Sequence, residues 1–380
     1  MPPPNASPSA WPRAVQMINA FWPSSGPYAR LAVAGNRPLI NGNDEMLTAF
    51  IKFGDGRIST YTDPRTLAAA VRDPKAVFWL DMNKPDEQEL ALLDDVFGFH
   101  PLAIEDTIQY SQRPKIESYN HIGDACQQGY FYMVIHGPDL ETFREKLRTK
   151  ELDMFVSERY LVTIHEEPHR SINELLNRAK SDPRVVLDPG IDLLLHSILD
   201  KLVDNYTPIL DHMQEEIDTL EEKAASDPTP ELLPKITIQK RELLNLRRII
   251  GPQREVIAQL TRGEVPFIRE TTRVYLRDVL DHLVRAVEMI ELYRDLVIGA
   301  RDVYLSSISN NLNQIMKTLT IITVCALPAT IITSFYGMNF EGVPGFNNVL
   351  HSPTGFWVSM LGTVALILFL LYLFYRRKWL

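Results

Sequence analysis

The C-terminal sixth of this chain can hardly fold anywhere but in a membrane. Between Lys317 and Arg376 lie 58 residues with a single formal charge, Glu341. Two stretches inside this region carry no charge at all: Thr318 to Tyr336, 19 residues, and Gly355 to Tyr375, 21 residues rich in Leu, Val and Phe. At a helical rise of ~1.5 Å per residue, each is long enough to cross a hydrocarbon core of ~30 Å. The segment joining them is short, so it must lie just outside the bilayer. The remainder looks water-soluble: over the whole chain 45% of residues are hydrophobic and 23% charged. The formal net charge of −9 argues against a nucleic-acid partner, which calls for basic patches, and suits a protein that meets cations. The two cysteines, Cys126 and Cys325, are far apart and the second falls inside a span, so neither a disulfide framework nor a Cys-based zinc site is readable.

Topology follows from the ends. Pro2 to Pro4 and scattered Pro, Ser, Asn and Gly lack the charged start and apolar core of a signal peptide. This segment is expected to be poorly ordered, with a short helix around Arg13 to Phe21, and the large N-terminal part is expected to stay in the cytoplasm. Arg376, Arg377 and Lys378 follow the second span, and the positive-inside tendency puts this basic tail on the same side. The expected location is the cell inner membrane with both termini cytoplasmic.

Before the spans the pattern is mixed. Leu47 to Phe53, Ala76 to Asp81, Tyr130 to Ile135, Leu152 to Val156 and Tyr160 to Ile164 read as strands. Asp63 to Val71 and Asp86 to Phe97 have acidic starts and helical spacing. From Ile191 the chain turns helical and highly charged. One helix is expected to reach Ala224, ahead of Asp227-Pro228-Thr229-Pro230, and a second to run from Glu231 to Arg262 and stop at Gly263. Pro266 suits the first turn of a third helix. Beyond it there is no proline before Pro328 and one glycine, Gly299, which predicts a single helix of ~70 residues, ~105 Å long. The fold class is therefore an α+β membrane protein: a cytoplasmic α/β domain, then a long helical stalk continuing into the first of two C-terminal spans. The expected divisions are residues 1–45, an N-terminal extension; 46–190, the α/β domain; 191–265, a helical hairpin; 266–336, stalk and first span; 337–354, the periplasmic loop; 355–375, the second span; and 376–380, the basic tail.

Apolar residues on the stalk recur in steps of four and three: Leu276, Leu280, Leu283, Val287, Ile290 and Val297, then Tyr304, Ile308, Leu312, Ile315 and Leu319, with Arg294 and Arg301 as interruptions. A 3.5-residue period specifies a helix packed along others. Packing within one subunit and packing in a bundle around a symmetry axis both satisfy it. In the membrane half a polar stripe runs through Asn313, Thr320, Thr323, Thr330 and Ser334, with Met316 and Leu327 nearby. Thr and Ser in spans often bond their own helix; an Asn amide near a membrane needs a partner or water.

His165-Glu166-Glu167-Pro168-His169 matches the letters of the H-E-x-x-H zinc-protease motif. That motif works on a helix, and Pro168 in its interior would break one. The segment also follows a strand, so it reads as a decoy. Neither a Ser/His/Asp set, a Walker loop nor a dinucleotide fingerprint appears, and the chain reads as a non-enzyme.

Tyr336-Gly337-Met338-Asn339-Phe340, at the exit of the first span, resembles the signature of the CorA family of magnesium channels, two-span proteins with a Gly-Met-Asn motif. Asp302 to Asn310, Asn313, Met316-Lys317, Leu319 to Ile322 and Leu327-Pro328 resemble that family's pore helix. Arg376-Arg377-Lys378-Trp379-Leu380 look like its basic tail. His100-Pro101-Leu102, Glu105-Asp106 and Gln112-Arg113-Pro114-Lys115 also match, so the likeness runs from about Phe78 to Leu380. It implies a homopentameric funnel that takes up divalent cations, mainly Mg2+ with Co2+ or Ni2+ as further candidates. Asn313, Met316, Leu319, Thr320, Leu327 and Thr330 would line the path, the apolar ones as constrictions that dewet. For those apolar residues, ordinary helix packing is the competing reading. Gly337, Met338 and Asn339 would form the selectivity ring. Mg2+ dehydrates reluctantly, so neutral amide and carbonyl oxygens placed outside its water shell suit it, and Gly337 would permit the turn that places them. Asp106 and Asp278 would face each other across neighbouring subunits as a cytoplasmic Mg2+ sensor; a solvated surface carboxylate is the plain alternative for each. The chain departs from the family where many members have Met-Pro-Glu-Leu: here Val343-Pro344-Gly345-Phe346 leaves Glu341 as the one carboxylate outside. A related Zn2+ transporter, proton-coupled or exporting, is the alternative, although such relatives usually vary the Met kept here as Met338. A membrane-tethered zinc metalloprotease is a distant third.

Overall fold

The computed structural model describes residues 47–61, 67, 70–109, 113–119, 129–143, 147–338 and 352–379. The N-terminal extension, most of Asp63 to Val71, Cys126, Asn339, Glu341 and Val343 to Phe346 lie outside these. The chain divides into two compact units, Met1–Asp218 with Thr237–Leu296, and Thr219–Ile236 with Val297–Leu380.

The first unit is built on a seven-stranded sheet. In chain order its strands are β1 Leu47–Lys52, β2 Ile58–Tyr61, β3 Val77–Asn83, β4 Lys115–Tyr119, β5 Tyr130–Pro138, β6 Thr149–Val156 and β7 Tyr160–His165. Their spatial order is β2-β1-β3-β7-β6-β5-β4. β3 and β7 pair in parallel and every other pair is antiparallel. The central strands are buried on both faces, which is why β5 and β7 begin as continuous apolar runs, while β6 buries Lys150, Glu151 and Asp153 among its apolar residues. β2 and β4 form the edges, and their mixed sequences, ISTY and KIESY, carry no such signal.

On one face α1, Glu87–Asp95, and α2, Pro101–Ile108, flank a core of stacked rings. Phe99 lies 4.1 Å from Phe155 and 5.0 Å from Phe97, centroid to centroid. The Asp86 side chain starts α1 by accepting the Gln88 and Glu89 N–H groups, both at 2.8 Å, while Glu89 accepts the Asp86 N–H. Further helices follow β7: α3 Arg170–Ser181, α4 Arg184–Leu187, α5 Ile191–Asp204, α6 Thr207–Ser226, α7 Leu232–Arg262 and α8 Glu270–Tyr336.

The expected helix from Ile191 to Ala224 is thus two helices. Asn205 closes α5 and Pro208, which has no N–H to give, sits in the first turn of α6. Pro266 does not open α8; it lies in the turn after Gly263, whose φ of 74° ends α7. The uninterrupted third helix does form, over 67 residues with Pro328 inside it.

Within the first unit α8 buries Thr272, Leu276, Val279, Leu283, Ala286, Ile290 and Tyr293, an alternation of steps of four and three. Leu280 and Val287 lie beside this seam, half-buried. The buried seam therefore runs through Val279, Ala286 and Tyr293 rather than through Leu280 and Val287. In the second unit Val297, Ala300 and Tyr304 are buried. The last helix, α9, is Pro353–Arg376, capped by the Ser352 hydroxyl accepting the Gly355 N–H at 2.9 Å.

Candidate ion path and regulatory site

The C-terminal half of α8, into the first span, carries a polar seam along one exposed face. Asp302, Ser306, Ser309, Asn313, Met316, Thr320, Thr323, Leu327, Thr330 and Ser334 alternate steps of four and three, so they share one face, and each is at least partly exposed. Tyr304 is buried on the opposite side. Asp302, Ser306 and Ser309 belong to the stretch that resembles the family's pore helix, but the stripe read from sequence begins at Asn313; the same spacing extends back to them. Met316, Leu319 and Leu327 are 59%, 56% and 56% exposed, so packing within the chain does not explain them. The threonines do bond their own helix. Thr320 donates to the Met316 carbonyl at 2.7 Å, Thr323 to Leu319 at 2.8 Å and Thr330 to Ala326 at 3.0 Å.

At the far end of α8 the Tyr336 hydroxyl donates to the Gly355 carbonyl at 3.0 Å and accepts from the Ser359 hydroxyl at 2.8 Å. This ties the exit of the first span to the start of α9. Gly337 then continues the helical turn, its N–H reaching the Thr333 carbonyl at 3.0 Å. Its φ is not positive, and a Cβ there would meet carbonyl oxygens at 3.4 and 3.5 Å, ordinary contacts. The expectation that glycine is needed here for a special turn is not met. Met338 is exposed. Asn339 lies outside the described residues.

The two candidate sensor residues, Asp106 and Asp278, lie on separate elements, α2 and α8. His100 opens α2, its Nδ1 accepting the Leu102 N–H at 3.2 Å, with Pro101 in the first turn. α2 thereby presents Glu105, which accepts from the Gln109 amide at 2.8 Å, and Asp106. Asp106 is no solvated carboxylate: its side chain is 23% exposed and forms a short ion pair with the ammonium of Lys115 on β4. Asp278 is exposed on α8. It adds its negative field to Asp200, whose carboxyl is pushed up first by burial, then by Asp204, with Asp278 contributing. His282 contacts Asp204 at 3.2 Å. Asp200 and Asp204 went unnoticed in the sequence; His196, Asp200 and Asp204 recur every four residues on α5, which was the available signal. Among the described residues no contact joins Asp106 to Asp278 within one chain.

The H-E-x-x-H letters do not make a metal centre. His165 ends β7 and His169 precedes α3, so they do not share a helix. His165 Nε2 lies 3.3 Å from Asp81, and His169 Nε2 donates to the Glu151 carbonyl at 2.9 Å. Burial drives His169 down to about 3, so it stays neutral, a satisfied core histidine. Glu166 is exposed, whereas both histidines are buried.

Sheet domain, long helix and two apolar helices define a two-span membrane protein. Residues 74–377 match the family model described as CorA-like Mg2+ transporter protein. The cobalt/magnesium transport protein CorA of Thermotoga maritima is 31% identical over 81% of this chain and 85% of its own length. The complete structure of the CorA magnesium transporter from Methanocaldococcus jannaschii superposes with a TM-score of 0.70 at 26% identity, covering 87% of this chain and 98% of that one. The zinc transport protein ZntB of Pectobacterium carotovorum is more distant, 24% identical over 60% of this chain and 67% of its own. The chain belongs to the CorA-like Mg2+ transporter family. It is a divalent cation transporter of the membrane, not an enzyme.

Proposed function

We propose that this chain forms a homopentameric channel in the inner membrane, mainly for Mg2+ uptake, with both termini cytoplasmic. Copies of α8 line the path with the seam from Asp302 to Ser334, and Gly337, Met338 and Asn339 ring its outer mouth. The exposed polar seam carries this reading. A span gains nothing from showing Asn313 and a row of hydroxyls to lipid, whereas they suit a water-filled axis. Leu327 and Leu319 are the constrictions, and Arg376, Arg377 and Lys378 hold the cytoplasmic end of α9.

Asp106 and Asp278 form the regulatory site between neighbouring copies, closed when Mg2+ bridges them. A ligand bound to one state alone shifts the balance by RT ln(1 + [L]/Kd), so five half-filled sites contribute roughly 2 kcal/mol. That moves a population about thirtyfold.

The test is ion flux in proteoliposomes, Mg2+ against Zn2+, at two pH values. Mg2+ flux that exceeds Zn2+ flux and disappears in assembled Asn339→Ala channels is expected. Zn2+ flux coupled to the proton gradient, or wild-type flux in Asn339→Ala, overturns the assignment.

A further inference from the structure

Gln112-Arg113-Pro114-Lys115 stands out in the sequence without a role in the ion path. In the fold its lysine has one. Lys115 starts the edge strand β4, and its ammonium makes a short ion pair with Asp106 Oδ2 on α2. A second carboxylate, Glu117 Oε1, lies 3.3 Å from the same nitrogen, and the ring of Tyr132 is 5.7 Å away. The two carboxylates differ. The Asp106 side chain is 23% exposed and Glu117 44%, so the ammonium has an inner partner and an outer one on its own strand. The ammonium already reaches both carboxylates, so passing from one to the other takes only a small shift of its flexible stem.

We propose that Lys115 is a tethered cation that holds the Asp106 carboxylate in the absence of metal, so that Mg2+ binds there by exchange, sending the ammonium across to Glu117. The inference rests on the regulatory reading of Asp106 given above and adds what sets the affinity of that site. An unpaired Asp106 would bind Mg2+ at whatever concentration two carboxylates dictate. A carboxylate already neutralised has to lose one cation to accept another, which moves the response toward higher Mg2+. Lysine suits such an exchange, because its single charge on a flexible four-carbon stem can leave without breaking a bidentate pair, as an arginine could not.

The experiment titrates Mg2+ against protease protection of the full-length purified protein. Lys115→Met should lower the half-protecting Mg2+ concentration about tenfold, ~1.4 kcal/mol. Glu117→Gln, which removes the outer partner, should raise it. Arg113→Met makes the same charge change two residues away and should shift the half-point less than about twofold. If Lys115→Met shifts no more than Arg113→Met, or Glu117→Gln leaves the half-point unchanged, the exchange is wrong. An Asp106→Asn/Asp278→Asn double variant separates the two claims. Loss of Mg2+ protection there with a wild-type titration in Lys115→Met rejects the exchange alone. Full protection in the double variant rejects the regulatory site and the exchange with it. Melting of each variant before titration identifies any that fail to fold, and Glu117→Gln, altering an exposed side chain, remains informative if Lys115→Met does.

Discussion

Asp192 holds the start of the stalk helix, and its removal is the sharpest test of how the first unit is assembled. Gly190, with φ of 110°, lets the chain enter α5 so tightly that a Cβ there would lie 2.7 Å from Arg269 Nη2. The Asp192 carboxylate, buried at 5% exposure, accepts the backbone N–H, Nε and Nη2 of Arg269 at 3.2, 2.8 and 2.6 Å. It also accepts the Thr272 hydroxyl at 2.6 Å. Asp192→Ala removes all of these. The Arg269 side chain is 54% exposed, so its donors return to water and their loss counts for little. Thr272 is wholly buried, and its orphaned hydroxyl costs about 1–3 kcal/mol. Adding the lost charge-assisted bond to the Arg269 backbone N–H, just ahead of α8, gives roughly 3 kcal/mol, or ~6–12 °C in the melting of a region this size. Thr272→Val in the Asp192→Ala background should recover part of it, because no hydroxyl is then stranded. Acid supplies a second reading. Burial raises the Asp192 carboxyl, but the Arg269 and Thr272 bonds prevail and hold it below its ordinary 3.8. A depressed carboxyl contributes its stability in full above 3.8 and loses it as pH falls through the folded value. The gap between wild type and Asp192→Ala should therefore be widest at pH 7 and narrow as pH falls through that window, without closing, because a neutral carboxyl still accepts the Thr272 hydroxyl. Melting of Asp192→Ala within a degree of wild type at pH 7 refutes this account of the junction.

Two further outcomes follow from the spans. Leu327→Ala or Leu319→Ala should raise leak through closed channels in proteoliposome flux, and unchanged closed-state flux in both would return these residues to ordinary packing against lipid or neighbouring copies. Tyr336→Phe should lower Mg2+ flux several-fold at unchanged assembly, because it cuts the bond to the Gly355 carbonyl. Ser359→Ala should be milder in the same assay, because the tyrosine keeps that bond, and equal effects would argue against the clamp.

The spans, the sheet's central strands and the single long helix were legible because each depends on composition over many residues. Tyr130 to Ile135 is apolar throughout since both its faces are covered. Lys115 to Tyr119 escaped notice for the opposite reason: an edge strand with half-exposed faces has no pattern to show. The stalk seam was half legible. Leu276, Leu283 and Ile290 anchor either register, and choosing Leu280 and Val287 by hydrophobicity alone missed Val279, Ala286 and Tyr293, since both sets alternate steps of four and three. The site divides along the same line. The polar stripe is periodic and could be read from the residues. The Lys115 pairing could not, since nothing local links a helix residue to an edge strand nine positions on.

The threonine bonds, at first sight an argument for a merely structural stripe, bear on which ions the proposed path suits. Thr320, Thr323 and Thr330 each give their one hydroxyl hydrogen to their own helix. What remains on each oxygen is acceptor capacity alone. At these three threonines the seam has spent its donors, and with the Asp302 carboxylate beside them that part of the lining leans toward accepting. The water shell of a cation turns its hydrogens outward and so donates to such a wall. The shell of an anion turns its lone pairs outward and would find few donors. Copies of this helix around an axis would therefore favour hydrated cations with a single carboxylate each, without the tight carboxylate coordination that would strip Mg2+ of a shell it releases reluctantly. The backbone, by claiming the hydrogens of Thr320, Thr323 and Thr330, sets the polarity of the wall at those three levels.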